Sequence, residues 1–282
     1  MKNSIVTSIV ALILCFSSNV VKAETLKRSP INYTIILDLS DRVLNDNQLT
    51  YDLEQIKVMF AKFKQKAKQN LIITSKDRFI IKIIPQKNSP LNVNYYENAL
   101  QLRLDQISIK DKNNRLNQLE TELPTILKKL EQEAQYGKKG SDYAGVDLWA
   151  FMSDNKDHLT ALDYDNTVII MTDGYLDFEN NDHVLRNENQ FTSTKFINSL
   201  TMQNWKEDAE AKNYGIIPIQ MKVDATWIVS GIKSKNTNDL MQISKLKFFW
   251  NKWIKESTNS NPKFINYSTK SQILSELNSI MN

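Results

Sequence analysis

The sequence predicts an α/β fold with a doubly wound, mostly parallel central sheet flanked by helices, and two observations carry that prediction. Continuous apolar strands recur along the chain, of the kind that are buried on both faces of a parallel sheet. Between them lie segments with apolar residues at helical spacing and lysines on the opposite side. With 6 Gly and 6 Pro in 282 residues, no Pro, Gly or Ser-rich linker divides the chain, so residues 24–282 read as a single domain.

The first strand is NYTIILDLS from Asn32, followed by an amphipathic helix from Tyr51 whose apolar stripe is Leu53, Ile56, Met59, Phe60 and Phe63. RFIIKIIP from Arg78 is the second strand, stopped by Pro85. The stretch from Gln86 to Asn114 reads as a long excursion with one short edge strand. Leu116, Leu119, Leu123, Ile126, Leu127 and Leu130 then mark a helix that ends before Gly137 and Gly140. SDYAGVDLWAFM reads as a helix start capped by Ser141 or Asp142. NTVIIMTDG from Asn166 repeats the opening motif of a strand that runs into Asp. YGIIPIQMKV from Tyr214 and ATWIVSGI from Ala225 are further strand candidates, and helices are expected over Asp239–Glu256 and Thr269–Met281.

The first 23 residues look like an export signal. Lys2 gives a positive start, the run from Ile5 to Phe16 is apolar, and Val21-Lys22-Ala23 offers small or branched residues at a cleavage site. The apolar run falls short of the roughly 20 residues that a spanning helix needs. A mature chain from Glu24 would have 259 residues (282 less 23) and be periplasmic or secreted. Cys15 is the only cysteine, and Leu14 before it is large for a lipidation site. A mature chain of this kind has no disulfide and no thiolate ligand. Removal of Lys2 and Lys22 from the 36 basic residues leaves 34 against 32 acidic ones, which gives no argument for nucleic acid as a partner.

The chemistry is concentrated at two strand ends. Ligand crevices in open parallel sheets lie beyond the carboxyl ends of the strands. Asp38 and Ser40 follow TIIL there, Asp173 follows TVIIM, and Ser141 and Asp142 stand on the helix start before it. Carboxylates gathered at one place raise one another's pKa unless a cation neutralises them. Oxygen ligands without cysteine suit a hard cation, Mg²⁺, Mn²⁺ or Ca²⁺.

Asp38-Leu39-Ser40, the hydroxyl of Ser141 after Gly140, and Thr172-Asp173-Gly174 in this order together resemble the von Willebrand factor A domain and its metal-ion-dependent adhesion site. The likeness covers the chain from about Asn32 onward. It implies a Rossmann-like sheet with Asp38, Ser40, Ser141 (or Asp142 in its place) and Asp173 as metal ligands, and a protein partner whose acidic side chain completes the ion's coordination. Arg42 departs from the pattern, standing where a second Ser is expected, and a guanidinium beside Asp38 can neutralise the carboxylates without metal.

The expected function is therefore an exported, non-enzymatic module that engages another envelope protein through a divalent-metal or Arg-substituted site. The alternative from the same acids is a metal-dependent hydrolase, and a third reading is a degenerate domain with a structural role. A haloacid-dehalogenase-like phosphatase would need an Asp where Ser40 stands, and neither a Gly-x-Ser-x-Gly elbow nor a phosphate-cradling loop is present. Asp38 and Asp173 have a plainer reading too, as caps of loops. FFWNKWIKES, with Lys245, Lys252 and Lys255 opposite its apolar stripe, reads either as a core helix or as a surface-docking one. His158 and His183 lie in polar surroundings and read as solvated.

Overall fold

The computed structural model describes residues 28–281 except 46, 70, 138, 140, 141, 144, 179–183, 223 and 237. The export signal, with Cys15, and also Ser141 and His183, therefore lie outside the described residues.

The central sheet has six strands: β1 (Ile31–Asp38), β2 (Arg78–Ile84), β3 (Leu102–Arg103), β4 (Asp165–Met171), β8 (Thr226–Ile232) and β9 (Lys263–Asn266). Their order is β3-β2-β1-β4-β8-β9. All neighbours pair in parallel except the edge strand β3, which is antiparallel to β2. Every residue of β1 is buried, as its unbroken apolar run requires of a strand covered on both faces. A smaller sheet joins β5 (Arg186–Asn187), β6 (Gln190–Phe191) and β7 (Gly215–Ile216).

Helices cover both faces. On one face α1 (Gln48–Gln69), α2 (Val93–Leu100), α3 (Lys112–Ala134) and α7 (Lys270–Met281) pack with Tyr33, Ile35 and Leu37 of β1. On the other, α4 (Leu148–Asn155), α5 (Trp205–Ala211) and α6 (Gln242–Thr258) pack with Ile36, Val168, Ile170 and Trp227. The alternation of Ile35, Ile36 and Leu37 between these two cores is the period of two that a strand imposes. Among the described residues no helix is long and apolar enough to cross a membrane.

Several expectations need correction. The excursion after Pro85 contains α2, whose N-cap Asn92 accepts from the amide of Tyr95, as well as the expected short edge strand β3. The helix after Gly140 starts later than expected. Its cap is Asp147, whose Oδ1 accepts from the Ala150 amide at 2.9 Å, while Asp142 accepts instead from the Lys139 amide at 2.9 Å within the preceding loop. Among the described residues of YGIIPIQMKV only Gly215–Ile216 is strand, and it belongs to the small sheet. Strand β9 has few apolar residues and went unmarked. The Trp-rich segment is a core helix: Trp250 and Trp253 are fully buried. Their indoles donate to the carbonyls of Gly174 at 2.8 Å and Ile217 at 3.0 Å. Lys245 is not on an outer face either, being buried and bonded to Asp239 at 2.8 Å.

Candidate functional site

The chain passes from β1 to β2 on one side and returns through β4 on the other, so the order of strands reverses between β1 and β4. Connections leaving two such strands diverge and open a crevice at their carboxyl ends. At this edge lie Asp38 and Ser40 after β1, and Thr172 and Asp173 after β4, all buried. The structure thus brings together three of the residues expected from the sequence, Asp38, Ser40 and Asp173, all of them buried. Asp142 is exposed and turned to its own loop.

Asp38 is fixed from two directions. Its Oδ1 accepts from the Ser40 amide at 2.8 Å, an Asx-turn contact of the kind Asp makes at strand ends. Its Oδ2 accepts from the Thr172 hydroxyl at 2.8 Å, which ties the end of β1 to the end of β4. Thr172 also receives the Gly174 amide at 3.2 Å. On Asp173, Oδ1 accepts from the Tyr175 amide at 3.1 Å, and Oδ2 stands 3.1 Å from the ammonium of Lys235.

Two cations of the chain face these acids. Arg42, fully buried, lies in the 3₁₀ turn Asp41–Leu44. Its Nη1 donates to Asp52 Oδ2 at 2.6 Å and to the Asp38 carbonyl at 3.1 Å, with the Met171 carbonyl at 3.4 Å. Lys235, on the loop after β8, keeps 41% of its side chain exposed and sits between Asp173 at 3.1 Å and Asp41 at 3.3 Å. Its ammonium is also 4.9 Å from the centre of the Tyr175 ring, and its amide donates to the Tyr175 hydroxyl at 3.0 Å.

Glycine makes room for this arrangement at one position. Gly231, where the β8–β9 register shifts, has φ +100°, and a Cβ there would meet the Thr172 carbonyl at 2.9 Å and Arg42 Nη2 at 3.0 Å. Only a residue without a side chain lets the strand pass this close to the guanidinium in that conformation.

The electrostatics follow from burial. Desolvation raises Asp52 to about 6, against the opposing pull of Arg42, because its carboxylate is taken out of water. Asp173 is raised as well, by desolvation first and then by Asp38, with Lys235 and Arg42 working against the rise. Burial works against the charge of Lys235, but Asp173 and Asp41 outweigh it and its pKa is raised. Arg42 is likewise raised, with Asp52, Asp38 and Asp173 outweighing its desolvation.

A metal fits this donor set poorly. Both oxygens of Asp38 and both of Asp173 are engaged within the chain, and a divalent ion at Asp173 would have to take the position of the Lys235 ammonium. Among the described residues no group of three or more His, Cys, Asp or Glu is placed to hold one. Sequence reasoning found Asp38, Ser40, Asp173 and Arg42 but missed Lys235, Asp52, Asp41 and Thr172. Thr172 was in view within Thr-Asp-Gly. Asp52 sits on the buried side of α1 at a position where a leucine would be ordinary, and a carboxylate on an apolar stripe is the signal that marks a buried pair.

No protein-family model matches the sequence, and no curated protein matches it. Two solved structures similar to the chain are crystal forms of proximal thread matrix protein 1 from the mussel byssus. They are 11% identical, with TM-scores of 0.36 and 0.34, over 90% of this chain and 47% of theirs. The chain spans about half the length of those structures. A likeness at that level carries nothing about function, and the fold described above rests on the chain's own strand pairings.

Proposed function

We propose that the chain is an exported von Willebrand factor A-like binding module that engages a protein partner at the carboxyl edge of its sheet. In this reading the chain supplies the cation itself, with Lys235 over Asp173 and Arg42 beneath Asp38. The observation that carries it is the position of the Lys235 ammonium, which bridges Asp173 and Asp41 at 3.1 and 3.3 Å on a side chain that stays 41% exposed. An ammonium held by two carboxylates on a partly exposed side chain, at a strand-order reversal, is a fixed positive point on a surface where such folds bind ligands. An acidic side chain of a partner would meet a preorganised charge there without any metal. The affinity of Asp38 and Asp173 for a divalent ion is spent inside the chain, and the rigid edge that results is what the partner would read. The alternating core layers and the order β3-β2-β1-β4-β8-β9 support the resemblance on which the reading draws.

The test is capture of partners from the native envelope on immobilised protein, with chelator and with Mg²⁺, using wild type and Lys235→Glu. The reading predicts a partner that wild type retains equally in both buffers and that the charge-reversed variant loses. Loss of the partner on chelation alone would overturn the metal-free form of the reading, and equal retention by Lys235→Glu would overturn the site.

A further inference from the structure

We infer that the cleft between the small sheet and the 3₁₀ turn Lys195–Ser199 binds a small amphipathic anion, with a flat apolar body and one acid group. The cleft shares no lining residue with the site at the carboxyl edge, and the inference does not depend on the reading given there.

The cavity encloses about 500 Å³ and is lined chiefly by Phe191, Phe196, Tyr214, Arg186 and Lys195. That size lies within the ~300–1,000 Å³ of ordinary small-molecule sites. Three aromatic rings make one wall. Phe191 and Phe196 have ring centres 5.1 Å apart with planes at 18°, and Phe196 and Tyr214 lie 6.0 Å apart at 20°. Phe196 in turn meets Phe249 of α6 edge-on at 4.8 Å. The three rings are stacked on one another and anchored in the core through Phe196, and they give the cleft an aromatic wall against which an apolar body can pack.

The charged residues that line the cleft are, among the described residues, both cationic. The Arg186 guanidinium stands 5.5 Å from the centre of the Phe191 ring, and its Nε donates to the carbonyl of Glu188 at 2.6 Å. The Lys195 ammonium reaches the Phe178 carbonyl at 3.4 Å. Among the described residues neither cation has a carboxylate partner, and no Asp or Glu lines the cleft. Beside the cleft, Oδ1 of Asp177 accepts from the hydroxyls of Ser193 at 2.9 Å and Thr194 at 2.8 Å. Two cations whose partners among the described residues are carbonyl oxygens can still make charge-assisted bonds to an acid group in the cleft. A carboxylate, sulfonate or similar acid group would make them while the body of the molecule covers the rings. A neutral apolar molecule would use the wall alone, and a cation would be repelled.

The test uses naphthoate and its neutral counterpart naphthalenemethanol, titrated calorimetrically into the folded full chain. Naphthoate is expected to bind one to a chain, about tenfold or more tighter than the alcohol, a difference of about 1.4 kcal/mol. Arg186 and Lys195 are exposed, so the Arg186→Gln, Lys195→Gln double variant should fold, as circular dichroism would verify. It should lose at least about tenfold in naphthoate affinity and leave the alcohol unchanged. Phe191→Ala should weaken both probes, and Lys206→Gln, whose ammonium lies over the ring of Phe248 away from the cleft, should weaken neither. Absence of naphthoate binding, equal affinity for the two probes, or unchanged binding by the folded double variant would each overturn the inference.

Discussion

Nη1 of Arg42 lies 2.6 Å from Oδ2 of Asp52, and both side chains are out of contact with water, at 0% and 2% exposure. The pair joins the turn after β1 to α1 beneath the crevice. Removing one partner of a fully buried pair leaves the other charge without compensation, which costs far more than the pair itself contributes. Arg42→Met should therefore destabilise the protein by about 3–5 kcal/mol at pH 7, because Asp52, Asp38 and Asp173 all lose their shared cation. Urea unfolding of wild type and variant measures it, and the penalty should shrink towards pH 5 as the stranded Asp52 carboxyl takes up a proton.

Asp52 carries a pH dependence of its own. Its pKa in the fold is about 6 against 3.8 unperturbed. Between those values the folded chain holds a proton that the unfolded chain has released. Stability therefore falls as pH rises through the window from about 4 to 6, by up to about 3 kcal/mol for a shift of this size. Asp52→Asn cannot ionise, so the difference in unfolding free energy between variant and wild type should grow in favour of the variant across that window. Urea titrations at pH 4, 5, 6 and 7 would follow it, and a difference that stays constant with pH would contradict the burial account of Asp52.

Gly231→Ala should destabilise by more than about 1 kcal/mol, since a non-glycine residue at positive φ is strained and its Cβ also meets a backbone carbonyl. The clash with Arg42 Nη2 at 3.0 Å predicts that the damage is not local. In a double-mutant cycle with Arg42→Met, the two penalties should be less than additive by about 0.5 kcal/mol or more. Additive penalties would show that Gly231 serves the strand alone.

The sheet was legible in the sequence because the strands that build its centre are long and apolar, and burial on both faces leaves them no other pattern. TIIL and TVIIM could be placed with their acids at the same edge for that reason. The short elements were not legible. Gly215–Ile216 is held in its sheet by partners remote in sequence, and β9, with Lys263 and Asn266 at its ends, has too few apolar residues to stand out. The site was legible in half. Asp38 and Asp173 sit at strand ends, where position announces them, whereas Lys235 is one lysine among many and acquires its role only from the loop that carries it over Asp173. Asp52 shows only as a polar break in a helical stripe. Asp147 rather than Asp142 caps α4 because Asp142 lies in the preceding loop, bonded to the Lys139 amide, and the chain passes through Gly145 at φ +75° before the helix begins.

Lys235→Ala separates the chain's own cation from a metal ion. Lys235 is partly exposed but Asp173 is buried, at 3%, so the variant should lose more than the about 0–1 kcal/mol of an exposed ion pair, and it should leave Asp173 and Asp41 without their ammonium. Thermal melts of wild type and Lys235→Ala, each in chelator and in Mg²⁺ or Mn²⁺, measure what then fills the crevice, since an ion that binds only the folded state raises its melting temperature. The account predicts a wild type whose melting temperature is the same in all buffers, and a variant that is stabilised by the divalent ion. A wild type stabilised by Mg²⁺ or Mn²⁺ and returned to its starting value by chelator would contradict it.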